Sequence, residues 1–229
     1  MTVPESSARW CQFETPIKSH SVAEGRGPEA ASAQTQVPPP WTLRGDATLV
    51  LYRRGILAFI DYRQSNVGPY RELLWLAPFR PGPLGRAHTI PQIFVSSEAS
   101  AQSGRANWGL PKELAVFRVD SLGPNSERVQ VSRSGQPIAT FVRSWPGWSL
   151  PLDARRIPAQ LRRLVQTSAG RCFETLPEGR GHCSLTCVSR LEVNQELLPE
   201  AQSSRWRLGI CLRHFELCFP HSKLSEARA

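Results

Sequence analysis

Residues 47–62, ATLVLYRRGILAFIDY, and residues 70–77, YRELLWLA, decide the fold class. Both are dense in Val, Ile, Leu, Tyr, Phe and Trp, side chains that suit a pleated surface. The first stretch breaks at Arg53-Arg54-Gly55 and reads as two strands, or a strand and a hairpin arm. The second is a further strand, stopped by Pro78.

Working outward, residues 90–96, IPQIFVS, predict a fourth strand. Ser96 or Ser97 then caps a short helix through residue 103, with Glu98 in the favourable first turn and Gly104 as its stop. Segments 115–120, 128–133 and 137–144 alternate as meandering strands, with turns at Gly123-Pro124 and Ser134-Gly135. A helix is expected over 158–168, with Pro158 in its first turn, Ile157, Leu161, Leu164 and Val165 on one side, and Gly170 as its stop. Segments 183–193 and 206–219 are the last strands. Many short strands and few helices describe an α+β domain that is mainly β, an antiparallel barrel or sandwich with a few short helices attached.

Residues 1–39 differ in kind. They are poor in large apolar groups and run into Pro38-Pro39-Pro40 at the domain boundary. Such a segment buries too little surface to offset its ordering entropy. It reads as a disordered leader ahead of one domain over 40–229. No basic flank followed by an apolar stretch of about 7–15 residues marks a signal peptide. No apolar run approaches the ~20 residues that span a bilayer. A cytoplasmic protein without membrane partners is the default expectation.

The formal charge of +9 raises the question of nucleic acid. The cations are 25 Arg and only 3 Lys, and they are scattered. Their densest stretch, Arg155, Arg156, Arg162, Arg163 and Arg171, reads as the solvated face of a helix rather than a phosphate-binding patch. Nucleic acid is therefore not expected as a partner. Six cysteines contain no Cys-x-x-Cys pair. His182, Cys183 and Cys187 fall short of the four ligands a structural zinc needs. Cys183 and Cys187 occupy alternating positions of a strand and are expected as buried thiols, so no metal is expected.

The scarcity of lysine draws attention to Lys112, the sole lysine between Lys18 and Lys223. It lies in residues 104–115, GRANWGLPKELA; a second notable stretch is residues 65–72, SNVGPYRE. Each sets ionisable side chains beside Gly, Pro and an aromatic residue at a strand edge, where a fixed loop aims a polar group into a pocket. A free lysine is a neutral amine in only about one molecule in two thousand at neutral pH. An apolar pocket raises that fraction, which arginine cannot match. A neutral amine attacks a carbonyl; the resulting iminium is an electron sink, and a carboxyl such as that of Glu72 can shuttle protons. The same residues also fit a surface lysine after a loop proline and a strand-end glutamate paired with Arg71. Arg105 fits either a substrate carboxylate or a loop-pinning role. Trp108 fits either a cavity wall or a core plug.

Ser65, Gly68, Tyr70 and Glu72 resemble the Ser-x-x-Gly-x-Tyr-x-Glu signature of the acetoacetate decarboxylase family. Gly104, Arg105, Pro111, Lys112 and Leu114 resemble its Gly-Arg-Glu…Pro-Lys-Lys-Leu region. The likeness covers roughly residues 40–220 and is strongest over 65–117. It implies an antiparallel β-barrel-like fold enclosing an apolar cavity, a homo-oligomer, and no metal or organic cofactor. It implies a Schiff-base lysine at Lys112 and an acid/base glutamate at Glu72; Tyr70, Arg105 and Trp108 are the candidate substrate-binding residues. The expected activity is a lyase step, decarboxylation or aldol-type, on a keto acid or other small carbonyl compound. The alternative is a non-catalytic small-molecule-binding barrel of the same fold. Two positions depart from the signature: Ala106 stands where the family has Glu, and Glu113 where it has a second lysine. On an extended chain, residues 112 and 113 point to opposite faces, so Glu113 is expected to turn away from the amine.

Overall fold

The computed structural model describes residues 36–82, 84–202 and 206–227. Residues 1–35, where most of the expected leader lies, fall outside the described residues. The described chain forms one compact unit from Gln36 onward. Its first residues are tied down: the Val37 amide donates to Ser103 Oγ at 3.1 Å, and Asn107 Nδ2 donates to the Val37 carbonyl at 2.7 Å.

The apolar stretch that opens the domain folds as a hairpin, β1 (Trp41–Tyr52) and β2 (Gly55–Gln64). β3 (Tyr70–Leu76) pairs antiparallel to β2 and ends before Pro78. A small ribbon follows, β4 (Arg80–Gly82) and β5 (Gly85–Ala87), then β6 (Gln92–Val95), helix α1 (Glu98–Trp108) and β7 (Lys112–Leu114). The predicted meander is β8 (Val116–Gly123), β9 (Ser126–Arg133) and β10 (Gln136–Ser144). Next come β11 (Leu150–Asp153), a 3₁₀ turn over Ala154–Arg156, the single-turn helix α2 (Ala159–Arg162), β12 (Leu164–Ser168) and β13 (Arg171–Thr175). β14 (Glu178–Val193), helical turn α3 (Pro199–Gln202), β15 (Trp206–Phe219) and β16 (Lys223–Glu226) complete the chain.

One sheet runs in the order β7-β6-β3-β2-β1-β15-β14-β10-β9-β8, with β11 added to β14. Every pairing in it is antiparallel except β6 with β7. Register shifts between Gly45 and Ala47 and between Arg180 and His182 bend the long strands. The sheet curls into a half-barrel, the barrel-like architecture expected from the sequence.

Strand alternation gives this sheet two apolar faces. Val50, Leu57, Phe59, Leu73, Trp75 and Phe94 pack on one side against Val129, Val131, Ile138 and Phe141 of the meander. Trp41, Leu43, Ala58, Tyr62, Tyr70, Leu74 and Ile93 form the other side, closed by α1 and Leu164. Polar side chains of interest gather on this second side.

Three expectations need correction. Helix α1 does not stop at Gly104. It continues to Trp108 and is capped by Gly109, whose φ of 62° is the left-handed conformation that closes a helix. The helix expected over 158–168 is only the single turn α2; residues 164–168 are strand β12. There Val165 and Thr167, both β-branched, pair with β13, and the Val165 amide donates to the His88 carbonyl at 2.9 Å. Gly170 belongs to the β12–β13 turn, with Ala169 and Gly170 at φ of 48° and 75°. The arginines of 155–171 therefore share no helix face. Arg155 pairs with Asp153 and Arg163 with Glu174. The third correction concerns the thiols. Cys187 is exposed, because the inward positions of β14 are Ser184, Thr186 and Val188.

Candidate active site

Strand β3 places Tyr70, Glu72 and Leu74 on the second side of the sheet. Leu74 pairs with Ile93 of β6, and Ile93 pairs with Lys112 of β7. This register brings Lys112 onto the same face as Glu72, one row apart. Lys112 Nζ lies 2.9 Å from Glu72 Oε2 and 3.0 Å from Ser100 Oγ. It also sits 5.3 Å from the centre of the Tyr70 ring. Lys112 is only 3% exposed and Glu72 4%, so the ion pair is made inside the protein.

Helix α1 builds the other wall. Ser97 caps it by accepting the Ser100 amide, with Glu98 in the first turn. Ser100 and Gly104, one helical turn apart, share the face toward β7. A side chain at Gly104 would have its Cβ 2.6 Å from Lys112 Cδ and 2.8 Å from Cε. Gly104 thus lies mid-helix because the lysine stem occupies the space a side chain would need.

Arg105 is exposed and is not among the residues that line the cavity beside Lys112. Its Nε donates to the Lys112 carbonyl at 2.8 Å, pinning the start of β7. Glu113 pairs with Phe94, on the opposite face from Lys112. Its carboxylate forms an ion pair with Arg133 and is about half exposed. The one-residue alternation of β7 keeps it away from the amine.

A cavity of about 250 Å³ opens beside Lys112. Trp41, Leu43, Leu74, Ile93, Trp108 and Leu110 supply much of its apolar wall. Trp108 is both wall and plug: its Nε1 donates to the Pro220 carbonyl at 2.7 Å, and its ring meets Trp41 and Phe219 edge-on at 5.0 and 4.9 Å. Tyr62 and Tyr70 line the cavity next to Glu72, their rings 4.7 Å apart. Burial, followed by the charge of Glu72, pushes both phenols well above their ordinary value. They therefore remain neutral at physiological pH.

Lys112, Glu72, Tyr70 and Trp108 thus converge on one cavity, while Arg105 supports it from behind. Tyr62, Ser100, Gly104, His88 and Arg162 complete the surroundings; the sequence reading named Gly104 only as a helix stop and a signature position and Arg162 only in the arginine-rich stretch, and placed none of the five at the site. Tyr62 was reachable through the β2–β3 hairpin, where it pairs with Tyr70. Ser100 and Gly104 were reachable through the small-residue face of α1. Nothing local marks His88 or Arg162. Among the described residues, no group of three or more His, Cys, Asp or Glu is placed to hold a metal ion.

The arrangement has the parts for amine chemistry on a carbonyl: a buried lysine, a carboxyl group in hydrogen-bond reach, neutral phenols and an apolar chamber. The sequence matches the family model described as acetoacetate decarboxylase over residues 29–156. No curated protein matches it. Among solved structures, it is similar to acetoacetate decarboxylase from Legionella pneumophila subsp. pneumophila str. Philadelphia 1, with a TM-score of 0.62 at 13% identity over 82% of this chain and 88% of that one. It is similar to the enduracididine biosynthesis enzyme MppR complexed with pyruvate, with a TM-score of 0.60 at 14% identity over 86% and 95% of the two chains. An acetoacetate decarboxylase-like enzyme from Sphingomonas wittichii RW1 gives a TM-score of 0.58 at 11% identity over 85% and 96%. At these identities the structural likenesses show the fold. The family model covers more than half of the sequence, and the chain belongs to the acetoacetate decarboxylase family.

Proposed function

We propose that this protein is a carbon–carbon lyase that acts on a small keto acid or ketone through an imine at Lys112. The observation that carries this reading is the Lys112–Glu72 pair, buried at 2.9 Å in the wall of an apolar cavity with Glu113 turned away. The Lys112 amine, its proton passed to Glu72, adds to the substrate carbonyl and water leaves. The iminium then accepts the electron pair of the neighbouring carbon–carbon bond as that bond breaks. The proton Glu72 took from the ammonium leaves in that water. In a retro-aldol step Glu72 then takes the hydroxyl proton as the bond breaks and returns it to the enamine carbon; in a decarboxylation it relays one from solvent. Hydrolysis of the iminium by water releases the product and restores the lysine. Decarboxylation and a retro-aldol step are the two versions of this chemistry, and the iminium serves as electron sink without a cofactor. Tyr70 and Trp108 shape the substrate chamber, and Arg105 holds β7 in register. The enduracididine biosynthesis enzyme MppR, which shares this fold, has been captured with pyruvate and with the condensation product of pyruvate and imidazole 4-carboxaldehyde. This supports a carbonyl substrate of modest size here.

A homo-oligomer and a cytoplasmic setting belong to the same proposal. Among the described residues, no helix is long and apolar enough to cross a membrane. A second reading treats the same ion pair as a structural element of a non-catalytic binding barrel. Borohydride trapping with a panel of keto acids and diketones, followed by peptide mapping, separates the two. The lyase reading expects a reduced adduct on Lys112. No adduct from a folded protein with any of them favours the binding barrel.

A further inference from the structure

We infer that Arg162 binds the carboxylate of the substrate, and that the substrate is a keto acid whose carboxylate is separated from its reacting carbonyl by a short apolar chain. The inference deepens the lyase reading above and rests on it for the position of the carbonyl.

Arg162 is the sole guanidinium among the residues lining the cavity. Its side chain is 12% exposed. Two backbone carbonyls hold it: Nε donates to Ile157 at 3.1 Å and Nη1 to Pro177 at 2.8 Å. These contacts fix the plane of the fork without neutralising its charge. Glu178 comes no closer than 4.0 Å to Nη1 and is about half exposed, so it screens only from outside. Nη2 has no hydrogen-bond partner among the described residues. The adjacent Arg163 is differently placed, with both arms on Glu174 at 2.8 and 3.0 Å. His88 also lines the cavity, with Nδ1 2.9 Å from the Ala77 carbonyl. That contact places its proton on Nδ1.

The two ends of the cavity differ in charge and depth. At the deep end, Glu72 balances Lys112, and a substrate carboxylate beside them would meet a like charge in a poorly screened setting. At the rim, Leu161 of α2 lines the cavity while remaining half exposed, and Arg162 follows it directly. The rest of the cavity wall is largely apolar and includes Leu74, Ile90, Ile93 and Leu164. A guanidinium is suited to forked recognition of a carboxylate, and burial strengthens such a pair. A keto acid thus settles with its carbonyl at Lys112 and its carboxylate at Arg162. The volume of about 250 Å³ limits the spacer to a short chain.

Calorimetry of the full chain with levulinate and its longer homologues, against uncharged methyl ketones of equal length, tests this directly. Wild type is expected to bind at least one keto acid about tenfold or more tightly than its ketone. Arg162→Gln is expected to abolish that ratio. Arg162→Lys, which keeps the charge but loses the fork, is expected to retain part of it, and it guards against loss of folding in the first variant. No preference in wild type, or a preference intact in a folded Arg162→Gln protein, overturns the inference. Borohydride trapping in the same samples reports separately on the lysine. A carboxylate preference lost in Arg162→Gln without any adduct on Lys112 supports the anion site and counts against the imine reading.

Discussion

At the scale of single residues, the candidate site is an ion pair whose surroundings leave little slack. Lys112 and Glu72 are both buried, so removing one partner strands the other charge out of water. Glu72→Leu is expected to lower the unfolding free energy by about 3–5 kcal/mol. Adding Lys112→Met to it should recover part of that loss, as urea melts of the single and double variants will report. Gly104 is a second sensitive position. Alanine there improves helix propensity by about 1 kcal/mol yet places its Cβ against the lysine stem. We expect Gly104→Ala to fold, with α1 intact by circular dichroism, while borohydride trapping at Lys112 falls at least about tenfold through misplacement of the amine. Trapping at the wild-type rate would show that the stem accommodates a methyl group without loss.

At the scale of elements, β7 is only three residues long, and its alternation separates two opposite charges. Lys112 faces the cavity; Glu113 faces Arg133. Glu113→Lys should therefore leave the pH dependence of Lys112 trapping unchanged and cost no more than about 1 kcal/mol of stability, as expected for an exposed pair. A displaced pH profile would mean that the charge at 113 reaches the amine. The elements also show where local patterns mislead. Residues 158–168 carry helix-like spacing, but residues 164–168 gain more as a strand against β13, with His88 receiving the Val165 amide. Gly104 reads locally as a helix stop. It is instead a gap made for a side chain eight residues later, information held by a tertiary contact.

At the scale of the whole molecule, the curled sheet buries its tyrosines as well as its site. Tyr52, Tyr62 and Tyr70 are the only tyrosines in the chain. Burial raises Tyr52 to about 12 and the other two well above 10.0. Between pH 10 and those raised values, the unfolded chain has lost phenolic protons that the folded chain retains, so stability falls as pH rises. Their contribution is complete below about pH 10. We expect tyrosinate absorbance to emerge together with loss of native circular dichroism, rather than as a separate native titration near pH 10. A native protein showing a full tyrosinate signal near that pH would contradict the burial of the Tyr62–Tyr70 pair.

Sequence by itself determined the mainly β class, most strands, and the two segments that supply Lys112 and Glu72. Alternation, turn residues and the paired signatures are local properties that a linear reading can use. The opposite orientation of Glu113 was legible too, since it needs only an extended backbone. Tertiary structure decided the rest. The antiparallel β3–β6 and parallel β6–β7 registers bring Lys112 to Glu72 across forty positions of sequence. The packing of α1 adds Ser100 and explains Gly104, and the return of the chain through α2 puts Arg162 in the cavity wall. Such neighbours are chosen by strand order and helix packing, and no local spacing records them.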